Sequence, residues 1–335
     1  MHVSVIIPTH NYAKYVVEAI ESVLAQTVAD REILEVLVVD DGSTDDTPRV
    51  LAELDDPRVR VIRFEEPRGV SAARNAALAE ARGELVAYHD ADDRWRPGKL
   101  ERQLEVLRSD PEVGLVFTDM IRFNEKGVFP LTHFETVPEL HDVPSRPSVR
   151  GGARVIEGDT FLHMTALPLL GPLPPTAVLR TEIARAARWP EGVHHCTDLY
   201  YFLQVYRLTR IAYLDEPLVE VRRHGGNSYS SALETQLHFL HVLDIVEREP
   251  LAPDHHDAIR RAMGRKWTGV GYYHFWNRSP LRAAGAYLRS LAYPGSRLNA
   301  LKHLALLPLV PVLPPRTRQG AAFDDPFPTA DPNAT

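Results

Sequence analysis

Asp90 and Asp92, in the run His89-Asp90-Ala91-Asp92-Asp93, have the spacing that most invites chemistry. Two positions apart on extended chain, their side chains project to the same side. Neighbouring carboxylates repel, and a divalent cation removes that conflict; magnesium or manganese favours oxygen ligands completed by substrate phosphates. The spacing leaves two other uses open, a general acid–base pair as in glycoside hydrolysis, or a solvated acidic turn with Asp93 as cap. Two more polar clusters stand at comparable places: Thr9-His10-Asn11 after Val3–Ile7, and Asp40-Asp41 after Val36–Val39. Any one of them fits the ordinary preference of Asn and Asp for turns. Three in succession point to a shared ligand.

Each cluster ends a segment that reads as strand, and the segments alternate with helices. Val3–Ile7 is an apolar, mainly β-branched run, as in a strand buried on both faces. Val16, Ile20, Val23 and Leu24 follow at helical spacing. Val36–Val39 predicts a second strand, with Thr44 or Asp45 capping a helix that carries Val50, Leu51 and Leu54. Val59–Phe64, a helix from Ser71 to Arg82, and Leu85–Tyr88 continue the alternation. Pro97 suits the first turn of a helix bearing Leu100, Leu104 and Leu107, and Val113–Phe117 predicts a fifth strand. The pattern implies an α/β fold whose mostly parallel sheet is covered on both faces and binds ligands beyond its strands' carboxyl ends.

Composition narrows the function classes. The 335 residues include 44% hydrophobic and 25% charged side chains, as in a globular protein that needs no staples. A lone Cys196 excludes a disulfide framework and a multi-cysteine zinc site, and makes a reducing, cytoplasmic setting the expectation. A formal net charge of −7 argues against nucleic-acid binding driven by charge. No basic stretch precedes the apolar residues of Met1–Pro8, so no secretory leader is expected. No apolar run reaches the roughly 18–20 residues that span a bilayer. His238 and His241 have neither a third ligand nor a glutamate base, and no Walker loop, Rossmann glycine fingerprint or Gly-x-Ser-x-Gly elbow occurs.

Four segments stand in order along the chain: VSVIIPTHNY at Val3–Tyr12, VVDDGSTD at Val38–Asp45, GVSAARN at Gly69–Asn75 and HDADD at His89–Asp93. This set closely resembles the family 2 glycosyltransferases, which have the GT-A fold, and the resemblance covers about residues 1–225. It implies an inverting transfer from a nucleoside-diphosphate sugar, UDP- or dTDP-linked by preference, with Mn2+ or Mg2+ as cofactor. The implied acceptor is a glycan, a lipid-linked sugar or a small molecule, in glycan or polysaccharide biosynthesis. Pro8, Thr9, His10, Asn11, Asp40 and Asp41 match the base and ribose pocket, with Asp41 towards the base. Arg74 matches the basic residue near the diphosphate, its plain alternative being a surface helix charge. Asp90, Ala91 and Asp92 match the Asp-x-Asp motif, Asp92 as direct metal ligand and Asp90 towards the ribose and metal.

Downstream, Trp189–Asp198 leads into an apolar helical stretch, Leu199–Leu208, and Asp198 matches the general base of the resembled family. Thr197 departs from that pattern, since a second acid is common there. Thr197-Asp198 also reads as capping sequence, and Glu191 is the nearest substitute base. Arg222, Arg223 and His224 follow a predicted strand pair, Arg210–Leu214 and Leu218–Val221. They match basic residues near the diphosphate, with His224 a candidate further metal ligand and Gly225-Gly226 allowing movement.

The expected organisation is a GT-A domain over 1–227, divided into a nucleotide-sugar half to 119 and an acceptor half from 120. A helical extension over 228–318 and a disordered tail over 319–335 follow. The proline-dense stretch 130–175 predicts loops or extended chain. Arg297–Arg318 mixes basic residues with leucine and proline, which fits a last helix packed on the body or a peripheral membrane contact. Two other activities fit less of the sequence. A sugar-nucleotide pyrophosphorylase would need a glycine-rich basic N-terminal loop, and a non-catalytic nucleotide-sugar-binding module is suggested by Thr197 alone.

Overall fold

A computed structural model describes residues 1–26, 34–167, 171–225 and 232–309. Its strands are β1 (Val3–Thr9), β2 (Leu34–Asp41), β3 (Val59–Phe64), β4 (Leu85–Tyr88), β5 (Arg94–Trp95), β6 (Val113–Asn124), β7 (Gly127–Thr132), β8 (Ser145–Pro147), β9 (Arg154–Ile156), β10 (Ala177–Arg180) and β11 (Arg210–Arg222). Among them run α1 (Val16–Leu24), α2 (Thr47–Ala52), α3 (Val70–Glu80), α4 (Lys99–Ser109), α5 (Thr160–Ala166), α6 (Thr181–Ala187) and α7 (Thr197–Tyr206). After them come α8 (Ala232–Glu247), α9 (Pro253–Trp276), α10 (Pro280–Ser290) and α11 (Arg297–Leu306). The chain divides into two compact units, Met1–Gly225 and Gly226–Thr335. The expected tail 319–335 and Gly226 of the Gly225-Gly226 pair lie outside the described residues.

One sheet holds the first unit together, in the order β3-β2-β1-β4-β10-β6-β11-β9-β8. Strands β1 to β4 are mutually parallel, and β11 runs parallel to β6. The sheet is mixed because β10 lies antiparallel between β4 and β6. Every residue of β1 is buried, which explains why its apolar run does not alternate with polar residues. Val5 and Ile7 join Val36, Val38, Leu85 and Ala87 in a core that Val16, Ile20 and Val23 of α1 and Leu100, Leu104 and Leu107 of α4 complete. Burying each of these larger aliphatic side chains stabilises the fold by about 1.5–3 kcal/mol.

Several local expectations are corrected. The N-cap of helix α2 is Asp46, one residue past the nearer predicted cap, Asp45, whose carboxylate accepts the Thr47 amide at 2.9 Å. Strand β6 runs on to Asn124, and the predicted strand pair 210–214 and 218–221 is one strand, β11. Its register shifts around Pro217, which has no N–H to give to a ladder. The proline-dense stretch holds more than loops, since α5 forms there, capped by the Asp159 carboxylate accepting the Leu162 amide at 3.1 Å.

Candidate active site

The carboxyl ends of β1, β2 and β4, with the far end of β11, bring the predicted residues to one edge of the sheet. The first two ends are stitched by their own polar atoms. His10 donates Nδ1–H to the Asp41 carbonyl at 2.6 Å, which fixes the tautomer and leaves Nε2 to accept from Asn11 at 3.1 Å. Asn11 adopts a left-handed φ of 59°; its N–H donates to Ser43 Oγ, and its side-chain oxygen accepts the amides of Thr44 and Asp45. Pro8 and Thr9 are buried in β1, and Asp40 accepts the Ser43 amide at 2.9 Å. Asp41 accepts the amides of Arg68 (2.6 Å) and Gly69 (2.8 Å), one on each oxygen. It therefore anchors the loop into α3, where a carboxylate also suits the positive end of the helix.

Asp90 to Asp93 do not continue the strand. The Asp93 amide donates to the Asp90 carbonyl at 3.2 Å, closing a turn, so the expected same-side projection from extended chain is replaced by two separate engagements. Asp90 accepts from Arg74 Nη2 at 2.9 Å, and Ala91 is buried between the two acids. Asp92 meets His224 Nε2 at 3.0 Å. Burial, with Asp90 adding to it, pushes the Asp92 carboxyl up against the opposing pull of His224. Asp93 is buried, and desolvation followed by the charges of Asp92 and Asp90 holds it well above the usual carboxylate range. Arg74 is buried too, its guanidinium 4.2 Å from the Trp189 ring, so the alternative of a surface helix charge is excluded.

Strand β5 explains the turn's placement. Arg94 and Trp95 pair antiparallel with Glu220 and Val219, which brings the turn against Arg222 at the end of β11. The Arg222 amide donates to Asp93 Oδ1 and its Nε to the Asp92 carbonyl, both at 2.9 Å. Its Nη2 reaches Glu18, and the guanidinium lies over the rings of Tyr15 (4.9 Å) and Phe123 (4.5 Å). These Arg222 donors hold the acidic turn from the β11 side. His224 stacks on Tyr15 at 4.9 Å and meets the edge of Tyr12, whose hydroxyl burial and the three aspartates push above its ordinary range.

On the other flank, Cys196 takes a left-handed φ of 53° at the N-cap of α7, and Asp198 is the second helical residue. Thr197 and Asp198 are therefore the first two residues of the helix and not its cap, and the Asp198 carboxylate accepts the Leu199 amide at 2.9 Å. Burial pushes the Asp198 carboxyl up, while the Leu199 amide and Arg74 pull it down and Asp90 raises it, which locates all three groups in one electrostatic neighbourhood. Glu191, the substitute base, is exposed and accepts from Asn75 at 2.9 Å. Asn75 also brackets Trp189, donating to its carbonyl (2.9 Å) and accepting its amide (3.0 Å). Trp189 in turn lies parallel to Tyr201, with centroids 4.0 Å apart.

Sequence reasoning missed Glu18, Asn75 and the supporting role of Asp93. The usable signal for Asn75 was a polar residue facing inward from an alanine-rich helix; Glu18 on α1 gave none. Buried polar atoms in this region that make no hydrogen bond include Thr9 Oγ1, Asp40 Oδ2, Ser71 Oγ, Arg74 Nε, both ring nitrogens of His89, Arg94 Nε and Trp189 Nε1. Of these, the Thr9 and Ser71 hydroxyls and Arg74 Nε–H are groups that a bound ligand could satisfy. Among the described residues no cluster of three or more His, Cys, Asp and Glu side chains stands ready to hold a cation. Asp92 and His224 nevertheless supply one oxygen and one nitrogen at hydrogen-bond distance, a pair that suits a divalent ion whose remaining positions are filled by phosphate oxygens and water.

Comparison with known proteins gives the class. The model for "Glycosyl transferase family 2" matches residues 4–162. An uncharacterized glycosyltransferase of Nostoc sp. is 35% identical over 239 residues, covering 69% of this chain and 68% of that protein. A putative teichuronic acid biosynthesis glycosyltransferase, TuaG of Bacillus subtilis, is 38% identical over 139 residues, 41% of this chain and 53% of its own length. Among solved structures, S. aureus TarS 1–349 in complex with UDP-GlcNAc superposes with a TM-score of 0.63 at 22% identity, covering 93% of this chain and 88% of that one. The mannosyltransferase PcManGT of Pyrobaculum calidifontis, with GDP-Man and Mn2+, gives 0.58 at 23% identity, covering 93% and 81%. A mixed, mostly parallel sheet with helices on both faces and further helices after it is thus a GT-A architecture. The chain belongs to glycosyl transferase family 2 and is a glycosyltransferase.

Proposed function

We propose that this glycosyltransferase moves a sugar from a nucleoside-diphosphate donor to an acceptor hydroxyl with inversion, dependent on a divalent cation. The observation that carries the reading is the convergence at one sheet edge of Asp92 with His224, and of Arg74 and Asp90 with Asp198. Asp92 and His224 would hold the cation, which when bound supplies positive charge to the diphosphate as the sugar–oxygen bond breaks. Arg74, fixed between Asp90 and Trp189, directs its unpartnered Nε–H as a further donor for developing negative charge. The His10–Asn11 and Asp40–Asp41 loops receive the base and ribose, for which a uridine or thymidine nucleotide is preferred. Thr9 and Ser71 offer their unpartnered hydroxyls there. Asp198, made more basic by burial, takes the acceptor proton while the oxygen attacks opposite the leaving diphosphate. We assign the transferase domain to 1–227, donor half to 119 and acceptor half beyond, followed by helices α8 to α11. The complexes of TarS with UDP-GlcNAc and of PcManGT with GDP-Man and Mn2+ support the donor class and the cation; the likeness to TuaG, a putative teichuronic acid biosynthesis glycosyltransferase, supports a polysaccharide setting.

The test is release of nucleoside diphosphate from a panel of nucleotide sugars, with and without acceptor, in Mn2+, Mg2+ or chelator. Cation- and acceptor-dependent release is expected. Asp198→Asn should retain donor affinity and lower transfer by about 10²–10⁴, the usual contribution of a positioned base. Near-normal transfer by the folded variant would remove Asp198 from that role.

A further inference from the structure

Charge is distributed very unevenly along this chain. From Ala258 to Phe323 there is no Asp or Glu, while Arg and Lys number 11; the overall −7 therefore leaves the rest of the chain at −18. Within the second unit Arg260 is neutralised by Glu247 and Arg261 by Asp257. Arg282 and Arg289 on α10, and Arg297 and Lys302 on α11, are exposed and have no acidic partner among the described residues.

The same two helices expose their leucines. Helix α10 buries Ala283, Ala286, Tyr287 and Ser290, and turns Leu281 (89% exposed) and Leu288 (58%) the other way. Seven residues apart, these two lie above one another, with Arg282 and Arg289 at the same spacing beside them. Helix α11 buries Ala300 and exposes Leu298 (86%) and Leu301 (54%) next to Lys302. Four large aliphatic side chains thus stand in water beside cations that no carboxylate neutralises, although Arg289 also lies over the Trp267 ring at 5.0 Å and Arg297 donates to the Leu291 carbonyl. That combination is what an interfacial helix presents, with apolar side chains for the acyl boundary and cations for headgroup phosphates. Among the described residues no helix is long and apolar enough to cross a membrane, so this would be contact with a surface.

We infer that the exposed faces of α10 and α11 dock on an anionic lipid bilayer. The inference does not depend on the donor-site reading, because none of its residues belongs to that site. The test is flotation of the full-length chain with vesicles of phosphatidylcholine alone and of phosphatidylcholine mixed with phosphatidylglycerol, at low and raised salt. Binding to the mixed vesicles only, weakened by salt, is expected. Two variants probe the two halves of the surface, Leu281→Asp with Leu288→Asp, and Arg282→Glu with Arg289→Glu. Each should reduce partitioning by about tenfold or more while the circular dichroism melt stays unchanged, since all four side chains are exposed. The inference is overturned if the wild type ignores anionic vesicles, if it binds phosphatidylcholine equally, or if folded variants bind as well as the wild type. It is overturned equally by sedimentation showing a dimer that the leucine variants dissociate, because the face would then belong to a second copy of the chain.

Discussion

Removing the Arg222 side chain tests whether the acidic turn is held from the β11 side. Arg222→Ala deletes two charge-assisted hydrogen bonds, to Glu18 and to the Asp92 carbonyl, each worth about 1.5–3 kcal/mol, and the ring contacts over Tyr15 and Phe123, about 0.5–1 kcal/mol each. Part of this is recovered. Glu18 keeps Arg94 at 3.0 Å, Asp93 keeps the backbone amide of residue 222, and water reaches the emptied space. A net cost of about 2–4 kcal/mol falls on the turn rather than on the β1–β4 core, so the variant folds. Because Asp92 then loses its fixed carbonyl, Mn2+ affinity in the presence of UDP should drop about 10–100-fold, the usual effect of removing a ligand's support. Electron paramagnetic resonance of free Mn2+ during titration reads this directly, with Asp92→Asn as the reference for complete loss. A folded Arg222→Ala protein with wild-type Mn2+ affinity would refute the reasoning, since the turn would then be self-supporting.

Two other predictions concern different parts of the first unit. His133 accepts a hydrogen bond from Arg122 at 3.3 Å, and burial, then the Arg122 charge, push its pKa down to about 3. The unfolded chain, with an ordinary pKa of about 6.5, takes up the proton first, so stability is lost as pH falls from there towards 3; between pH 7 and pH 5 the loss is about 2 kcal/mol. Urea unfolding of wild type and His133→Phe at both pH values should show their difference moving by that amount, and a constant difference would reject the assignment. Asn75→Leu deletes the three hydrogen bonds to Trp189 and Glu191, about 1 kcal/mol each, so stability should fall by about 2–3 kcal/mol and the acceptor KM should rise while donor affinity holds. An unchanged KM would detach that loop from the acceptor.

The elements that the sequence revealed are those whose stability is local or uniformly apolar. Leu85–Tyr88 is legible to the residue because a short apolar run is bounded by Gly83 on one side and His89-Asp90 on the other. The elements that stayed hidden exist through partners distant in sequence. Arg94-Trp95 is a strand only because β11 lies beside it, and Ala177–Arg180, four residues behind Pro174-Pro175, is one only because two other strands flank it. The site divides similarly. The polar residues at the strand ends were legible as a set, since alternation placed them at one edge. What each carboxylate touches was not. Asp90 facing Arg74, Asp92 facing His224 and Asp93 facing the Arg222 amide depend on a turn whose shape comes from β5 and β11.

Strand β10 has a consequence for the order in which the chain can fold. Val178 lies opposite Ala87 on one side and Val116 on the other, so β4 and β6 never touch through their own ladders. A nascent chain that has released residues 1–124 has the β3-β2-β1-β4 sheet and the lone strand β6 with a vacant slot between them, both rims offering unpaired amides and carbonyls. Such rims are templates for pairing with other chains. The slot closes only when residues 177–180 arrive, over fifty residues after β6 ends, so the central pairing is long-range and slow to form. A polypeptide cut after residue 119 would therefore lack the wedge that joins its own strands, and should aggregate instead of behaving as an independent nucleotide-binding module.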